Sequence, residues 1–159
     1  MKALSNGIST IEKYLAIVLM FAMAVIVALA VVFRYLLNSP LSWAGEVSVF
    51  LLIWISFIGG SLGLKYKSQA AVTILLEYVP AKVKKIIGII GHIFMLLFLV
   101  FLLYYSYTWV LSPGVAFQKS SAILLPMWIP FSAVPIGLTF AVIHLISNLL
   151  ELFREEEVQ

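Results

Sequence analysis

The stretch RYLLNSPLSWAGEVSVFLLIWISFIGGSLGL, Arg34 to Leu64, decides the fold, because one apolar run ends in it, the chain turns, and a second apolar run begins. Asn38, Ser39 and Pro40 are turn-forming residues, so the second run is expected to return antiparallel to the first. Glu46 is the only acidic residue that we place inside a long apolar run. A charge at the centre of a membrane helix costs about 2.5–3.5 kcal/mol, so Glu46 needs a polar neighbour or a position near the interface.

The surroundings of Glu46 favour the membrane interface. Trp43 lies three residues earlier, about 5 Å along a helix, and tryptophan is typical of the headgroup level. In one interpretation, Ser42 caps the helix and Glu46 is a first-turn residue that pairs with Arg34. In a second interpretation, a polar cluster forms from Arg34, Trp43 and Glu46 and also contacts a partner protein. A role in proton or substrate movement is the third alternative.

The composition identifies the class of protein. Of the 159 residues, 64% are hydrophobic and 11% are charged, and the mean hydropathy is +1.14, whereas soluble domains hold about 45–50% apolar and 25% charged residues. The chain is therefore predicted to be an integral membrane protein in contact with membrane lipid. It has no cysteine, which excludes disulfides and thiolate sites. The basic residues lie at the ends of the apolar runs, where they anchor helices, so no nucleic-acid partner is expected.

Four apolar stretches are long enough to cross a hydrocarbon core of about 30 Å, which takes about 20 residues of helix. They lie at residues 14–33, 43–64, 86–109 and 127–150. Between the second and the third, apolar residues recur on one helical face of residues 69–79, which predicts a short amphipathic helix in the interface; an ordinary apolar connection is the alternative. The predicted fold class is an all-α integral membrane protein, a single domain over residues 1–159.

The distribution of charge predicts the orientation in the membrane. With four spans, both termini share a side with residues 65–85, and every lysine and arginine except Arg34 and Lys119 lies on that side. The positive-inside rule then places both termini in the cytoplasm. The first apolar run has 20 residues, more than the roughly 7–15 of a signal peptide, so we expect it to remain as a helix.

Few residues in the apolar runs suggest chemistry, and the sequence predicts neither an enzyme nor a metal or cofactor site. His92 and His144 lie at similar predicted depth, as a bis-histidine haem requires, but an intramembrane histidine more simply hydrogen-bonds a neighbouring helix. Gly59 and Gly63 form a GxxxG pattern, extended by Gly60, that lets another backbone approach closely. Packing within the chain and contact with another protein both fit this pattern. No ionisable residue is expected near the midplane, which favours an accessory subunit.

Three short motifs carry a resemblance to a known family. Arg34-Tyr35, Pro40-Leu41-Ser42-Trp43 and Phe57-Ile58-Gly59 together resemble the signature of the small membrane subunit of tripartite ATP-independent periplasmic (TRAP) transporters. The later stretch LLPMWIPFSAVPIG, Leu124 to Gly137, is similar to the start of the fourth helix in that family. The resemblance covers nearly the whole chain.

The resemblance implies a subunit that does not itself bind substrate but braces a large multi-spanning transport subunit in the bacterial inner membrane. A periplasmic binding protein would deliver an organic acid, such as a dicarboxylate or a sialic acid, for sodium-coupled uptake. The candidate structural or partner-contact residues are Arg34, Tyr35, Trp43, Glu46, Trp54, Gly59, Gly60 and Gly63. The alternatives are a stand-alone proton-coupled exporter and a haem-carrying membrane anchor of a redox enzyme.

Overall fold

The computed structural model describes residues 1–66 and 80–154, which form helices joined by short connections. The helices are α1 (Lys2–Tyr35), α2 (Ala44–Lys65), α3 (Ala81–Val110), α4 (Pro113–Ala116), α5 (Trp128–Phe131) and α6 (Ala133–Arg154). Four segments in these ranges are long and apolar enough to cross a membrane: Lys2–Tyr35, Ala44–Lys65, Ile86–Val110 and Trp128–Glu151. The predicted all-α class with four spanning helices is confirmed. The predicted interfacial helix at residues 69–79 lies outside the described residues.

α1 begins well before the apolar run that predicts it. The helix has 34 residues and starts at Lys2. Its first turns are polar, and their backbone hydrogen bonds continue without interruption into the apolar run. It ends at the expected turn, where Ser39 N–H donates to the carbonyl of Phe33 at 3.0 Å. Asn38 in this turn has a φ of 49°, a left-handed conformation that asparagine adopts more readily than most residues.

The four spanning segments form an open layer rather than a closed ring. α2 and α6 are the central pair, while α1 packs chiefly on α2 and α3 packs chiefly on α6, so the order across the layer is α1, α2, α6, α3. In α1 no residue after Glu12 is buried, and in α3 Leu99 and Val110 alone are buried among the residues whose side chains are described, whereas 39% of the apolar window of the fourth segment is buried. The two outer helices therefore present most of their apolar surface outward.

A small apolar core holds α3 against α6. Leu99, Ala141 and Leu145 form its buried centre, and Met95 and Leu138 are among the half-buried residues packed around it. We call the end of the layer where α1 begins and α2 and α6 finish the terminal end. The opposite end, with the connections from α1 to α2 and from α3 to α5, is the loop end.

The fourth span is broken near its beginning. α5 ends at Phe131 and α6 begins at Ala133, with Ser132 between them. Pro135 has no N–H to donate, and its ring conflicts with the carbonyl four residues earlier. The fourth span is therefore interrupted at Ser132.

Candidate functional site

Glu46 fastens α2 to the connection that leads into α5 at the loop end. Its Oε1 accepts a hydrogen bond from the backbone N–H of Ser121 at 3.0 Å, and its Oε2 accepts one from Ala122 at 2.9 Å. Hydrogen bonds to a carboxylate are shorter and stronger than those between neutral groups. The connection is itself folded, because Lys119 and Pro126 pair as an isolated antiparallel β-bridge. Glu46 thus positions a short structured loop across the start of α2.

The contact predicted between Glu46 and Arg34 is wrong. Arg34 is exposed near the end of α1, and no ion pair joins it to Glu46 in the described part of the chain. Trp43, rather than Ser42, is the N-cap residue, and no side chain caps α2. The physical reason is that the folded loop supplies one backbone donor to each carboxylate oxygen, which leaves the guanidinium in the polar surroundings of the loop end.

Glu46→Ala is expected to release the loop that it holds. The amides of Ser121 and Ala122 lose their acceptors, so their hydrogen exchange, measured by mass spectrometry in lipid nanodiscs, should become faster than in the unaltered chain. Glu46→Gln keeps a single acceptor oxygen and should lie in between. Glu151→Gln, at the terminal end, is the control and should leave these amides unchanged. Equal exchange in Glu46→Ala and the control would show that the carboxylate does not hold the loop.

Tyr35 and Trp54, two of the candidate structural or partner-contact residues, lie in different surroundings. Tyr35 is 72% exposed at the end of α1. Trp54 lines an apolar groove of about 440 Å³ between α1, α2 and α5, together with Leu19 and Ile129. Ile123 and Leu125, in the connection held by Glu46, line the same groove.

The glycines on α2 face outward. A β-carbon placed on Gly59 or Gly60 would meet no atom within 4 Å, and both residues are exposed, while Gly63 is half-buried. Packing inside the chain therefore does not explain Gly59 and Gly60. The close approach occurs at Gly137 of α6, where an added β-carbon would lie 2.7 Å from Cβ of Phe57.

The terminal end contains a polar cluster with a buried centre, which the sequence did not predict. His144 Nε2 lies 2.8 Å from Glu12 Oε2, and both side chains have zero exposure. His144 Nδ1 lies 2.7 Å from the hydroxyl of Ser5. Lys65 Nζ donates to the same hydroxyl at 2.7 Å and to the amide oxygen of Asn6 at 2.9 Å. This terminal cluster, Ser5, Asn6, Glu12, Lys65 and His144, joins α1, α2 and α6.

The hydrogen bonds of the cluster fix the direction of the imidazole. An ammonium group can only donate, so the Ser5 hydroxyl accepts from Lys65 and its own proton is available for His144 Nδ1. The Nε2–H then donates to the Glu12 carboxylate, and it does so in a protonated imidazole as well. Glu12 and His144 thereby tie α1 to α6.

The rim of the terminal end carries weaker charged contacts. Lys2 Nζ lies 3.5 Å from Glu151 Oε1, and Lys13 Nζ lies 5.0 Å from the centroid of the Tyr66 ring. A hydrogen bond from Lys13 also lowers the pKa of the Tyr66 phenol. These contacts lie outside the apolar windows and add to the same three-helix junction.

The geometry of the two histidines does not support the haem hypothesis. Both nitrogens of His144 are engaged, by Glu12 and Ser5. His92 Nδ1 lies 2.8 Å from the carbonyl of Gly88 in its own helix. Haem iron needs a nitrogen lone pair from each axial histidine, and His144 has none free in this arrangement.

One pattern in the sequence points to the cluster. Ser5, Ser9 and Glu12 recur at i, i+4 and i+7 of α1, and they are its buried residues. This spacing is that of one helical face. A polar face at helical spacing beside an apolar run therefore indicates a polar contact with a neighbouring helix.

Comparison with known proteins identifies the family. The family described as "Tripartite ATP-independent periplasmic transporters, DctQ component" matches residues 23–155. The C4-dicarboxylate TRAP transporter small permease protein DctQ of Vibrio cholerae is 26% identical over 157 residues, which cover 81% of this chain and 65% of that protein. A putative TRAP transporter small permease protein of Haemophilus influenzae is 28% identical over 169 residues, which cover 98% of each chain.

A third relative is longer. The isethionate TRAP transporter permease protein DctMQ of Oleidesulfovibrio alaskensis is 24% identical over 144 residues, which cover 87% of this chain but 23% of that protein. The chain thus spans less than two thirds of the Vibrio and Oleidesulfovibrio relatives and nearly all of the Haemophilus one. Since the family match extends over most of the chain, and four helices are fit to cross a membrane, this integral membrane protein belongs to the DctQ component family of TRAP transporters.

Proposed function

We propose that this chain is the small scaffold subunit of a TRAP transporter and braces a large multi-spanning transport subunit. The observation that carries the proposal is the open layer. Almost all residues in the spanning parts of α1 and α3 are half-buried or exposed, and Gly59 and Gly60 leave room for another backbone on α2. Small residues on an uncovered helix face favour close packing against a second membrane helix. The contacts of Glu46 at the loop end and of Glu12 at the terminal end hold the layer together. Such a layer suits a part of the large subunit that does not move during transport.

The relatives support the partner and the class of substrate. In the Oleidesulfovibrio protein, the part that matches this chain is 23% of a longer permease. The named substrates of two relatives, a C4-dicarboxylate and isethionate, are small organic anions. We therefore propose sodium-coupled, binding-protein-dependent uptake of an organic acid, with selection of the acid by the other subunits. A dicarboxylate, a sialic acid or a similar acid fits this role.

The charges support a location in the bacterial inner membrane with both termini in the cytoplasm. Lys2, Lys13 and Lys65 lie toward the terminal end, whereas Arg34 and Lys119 lie toward the loop end. A surplus of cations on one side favours the cytoplasmic side for it. The loop held by Glu46 would then face the periplasm, on the side from which a binding protein delivers its substrate.

Gly60→Leu is expected to weaken the association with the large subunit without unfolding the chain. A leucine side chain at this position meets no atom of the chain near its Cβ, but it would hold another helix away. The measurement is the amount of large subunit that co-purifies with the tagged chain after gentle extraction from the native membrane. The thermal unfolding midpoint of the variant should stay close to that of the unaltered chain.

Gly91→Leu on α3 is the matched control, since its Cβ also has no neighbour within 4 Å. It should retain the partner, and loss of the partner in both variants would show that the interface is not specific to α2.

Uptake by the reconstituted pair should require a sodium gradient and the binding protein. Transport by this chain alone in liposomes would overturn the scaffold proposal in favour of a stand-alone exporter.

A further inference from the structure

The connection between α4 and α5 forms a small hairpin with hydrogen bonds of its own. The Ser120 N–H donates to the carbonyl of Leu125 at 2.8 Å, and the Met127 N–H donates to that of Gln118 at 2.9 Å. The Ser120 hydroxyl is almost completely buried, and it accepts a hydrogen bond from the Leu125 N–H at 3.3 Å. None of these bonds involves Glu46, so the hairpin keeps bonds that define its shape without the carboxylate.

Two successive amides at the tip of the hairpin bind the same group. In an extended strand, neighbouring N–H groups point to opposite sides. Those of Ser121 and Ala122 instead both donate to the Glu46 carboxylate, at 3.0 and 2.9 Å. Leu124, two residues further on, has a φ of 55°, in the left-handed region that leucine rarely adopts. A turn in which successive N–H groups converge is a nest, a concavity of the backbone that binds anions.

The nest matches a carboxylate in number of donors and in charge. Each oxygen of Glu46 has an amide of its own, and the Ser120 hydroxyl and the Ile123 N–H are further donors close to the same carboxylate. Hydrogen bonds to a charged acceptor are about twice as strong as those between neutral groups. In the described part of the chain, no lysine or arginine forms an ion pair with Glu46. The hairpin itself therefore supplies the groups that stabilise the negative charge.

The nest is open to solutes. Ser121 and Ala122 are exposed at the loop end, and Glu46 is half-buried. The two hydrogen bonds that join them lie at the surface of the chain. An anion from the surrounding water can therefore reach the amides if the side chain of Glu46 does not occupy them.

We propose that this nest is a carboxylate-binding site in its own right, in which Glu46 is the resident ligand. The class of ligand is a small carboxylate anion, which binds the amides of Ser121 and Ala122 when the glutamate side chain is absent. In the unaltered chain, Glu46 is tethered beside the nest. A tether of this kind gives an effective concentration of the order of mM or above, so Glu46 excludes a free carboxylate at lower concentrations.

The probe is acetate, because it restores the atoms that Glu46→Ala removes. The substitution deletes the carboxylate and the methylene group next to it, and an acetate ion has the same two carbons and two oxygens. The full-length variant is placed in lipid nanodiscs at neutral pH, and sodium acetate replaces sodium chloride at constant ionic strength. The amide signals of Ser121 and Ala122 in nuclear magnetic resonance spectra should shift to a saturating value. Their hydrogen exchange should become about tenfold slower, because a hydrogen bond to a charged group has at least an effect of this size.

Two controls separate binding in the nest from a general effect of the salt. Acetamide has the shape of acetate without its charge and should leave the two amides of Glu46→Ala unchanged. Glu46→Gln fills the space that acetate needs, so its amides should not respond to acetate. Equal responses to acetate and acetamide, equal responses of the two variants, or no response of Glu46→Ala would each overturn the proposal.

The Ser120 N–H shows whether the hairpin is still folded in Glu46→Ala, because it donates to the carbonyl of Leu125 rather than to Glu46. Its exchange should stay slow in the variant. If the hairpin opens instead, acetate should close it and restore slow exchange at Ser120, and an opened hairpin that acetate does not protect would contradict the proposal. These measurements use this chain alone, so their outcome is independent of the proposed function.

Discussion

His144→Ala is expected to destabilise the chain by about 3 kcal/mol, because it leaves the buried Glu12 carboxylate without its hydrogen-bond donor. The Glu12 carboxylate has zero exposure, and His144 Nε2, at 2.8 Å, is its only hydrogen-bond donor among the described residues. Without the imidazole, a fully buried carboxylate is left with no hydrogen-bond donor among the described residues. The measurement is the free energy of unfolding in mixed micelles, from the loss of helical circular dichroism with denaturant.

His92→Ala is the matched control for this substitution, because among the described residues His92 hydrogen-bonds only the carbonyl of Gly88 in its own helix. Its effect is expected to be small. Replacing Glu12 and His144 together by leucine should restore much of the stability, since a buried pair exchanged for apolar residues of similar volume is often neutral. Equal losses in His144→Ala and His92→Ala would show that the contact with Glu12 does not hold α1 against α6.

Gly137→Ala is expected to force α2 and α6 apart. The added β-carbon would lie 2.7 Å from Cβ of Phe57 and 3.0 Å from its carbonyl oxygen, closer than side-chain and backbone atoms approach each other. Overpacking of this kind costs about 1–3 kcal/mol, more than the roughly 1 kcal/mol that alanine gains over glycine in a helix. The thermal unfolding midpoint in nanodiscs should therefore fall.

Gly91→Ala provides the comparison, because no atom lies within 4 Å of its added β-carbon. Its midpoint should hold or rise through helix propensity alone. Shortening the neighbouring side chain by Phe57→Leu should not rescue Gly137→Ala, since the nearest atoms are the Cβ and the carbonyl group of Phe57 rather than its ring. If Gly137→Ala behaves like Gly91→Ala, the two helices are not in close contact there.

The spanning helices could be predicted because their signal is local. A run of about 20 apolar residues forms a membrane helix whatever its neighbours, and the turn at Asn38 follows from the residues in it. The contact between Glu12 and His144 depends on two residues 132 positions apart, and the apolar run gave no reason to extend α1 back to Glu12. The partners of Glu46 are backbone amides, which every residue of a loop carries.

The glycines illustrate a second limit of the sequence. The GxxxG spacing at Gly59 and Gly63 predicts a close contact, but Gly59 and Gly60 are open and the close contact lies at Gly137. Spacing defines a face of small residues, while the order of helices across the layer decides which face meets a neighbour in the same chain. That order depends on contacts between all four segments.

The length of α1 bears on membranes of different thickness. Its 34 residues extend about 51 Å, well beyond a hydrocarbon core of about 30 Å. Its apolar run, residues 14–33, matches an average core in length, but in a thinner or thicker bilayer such a helix can tilt, bend or slide along its axis. Sliding would separate Glu12 and Ser5 from His144, so α1 keeps its register with α2 and α6. A thicker or thinner bilayer therefore changes the tilt of the whole layer, and the spanning helices tilt together as a rigid body.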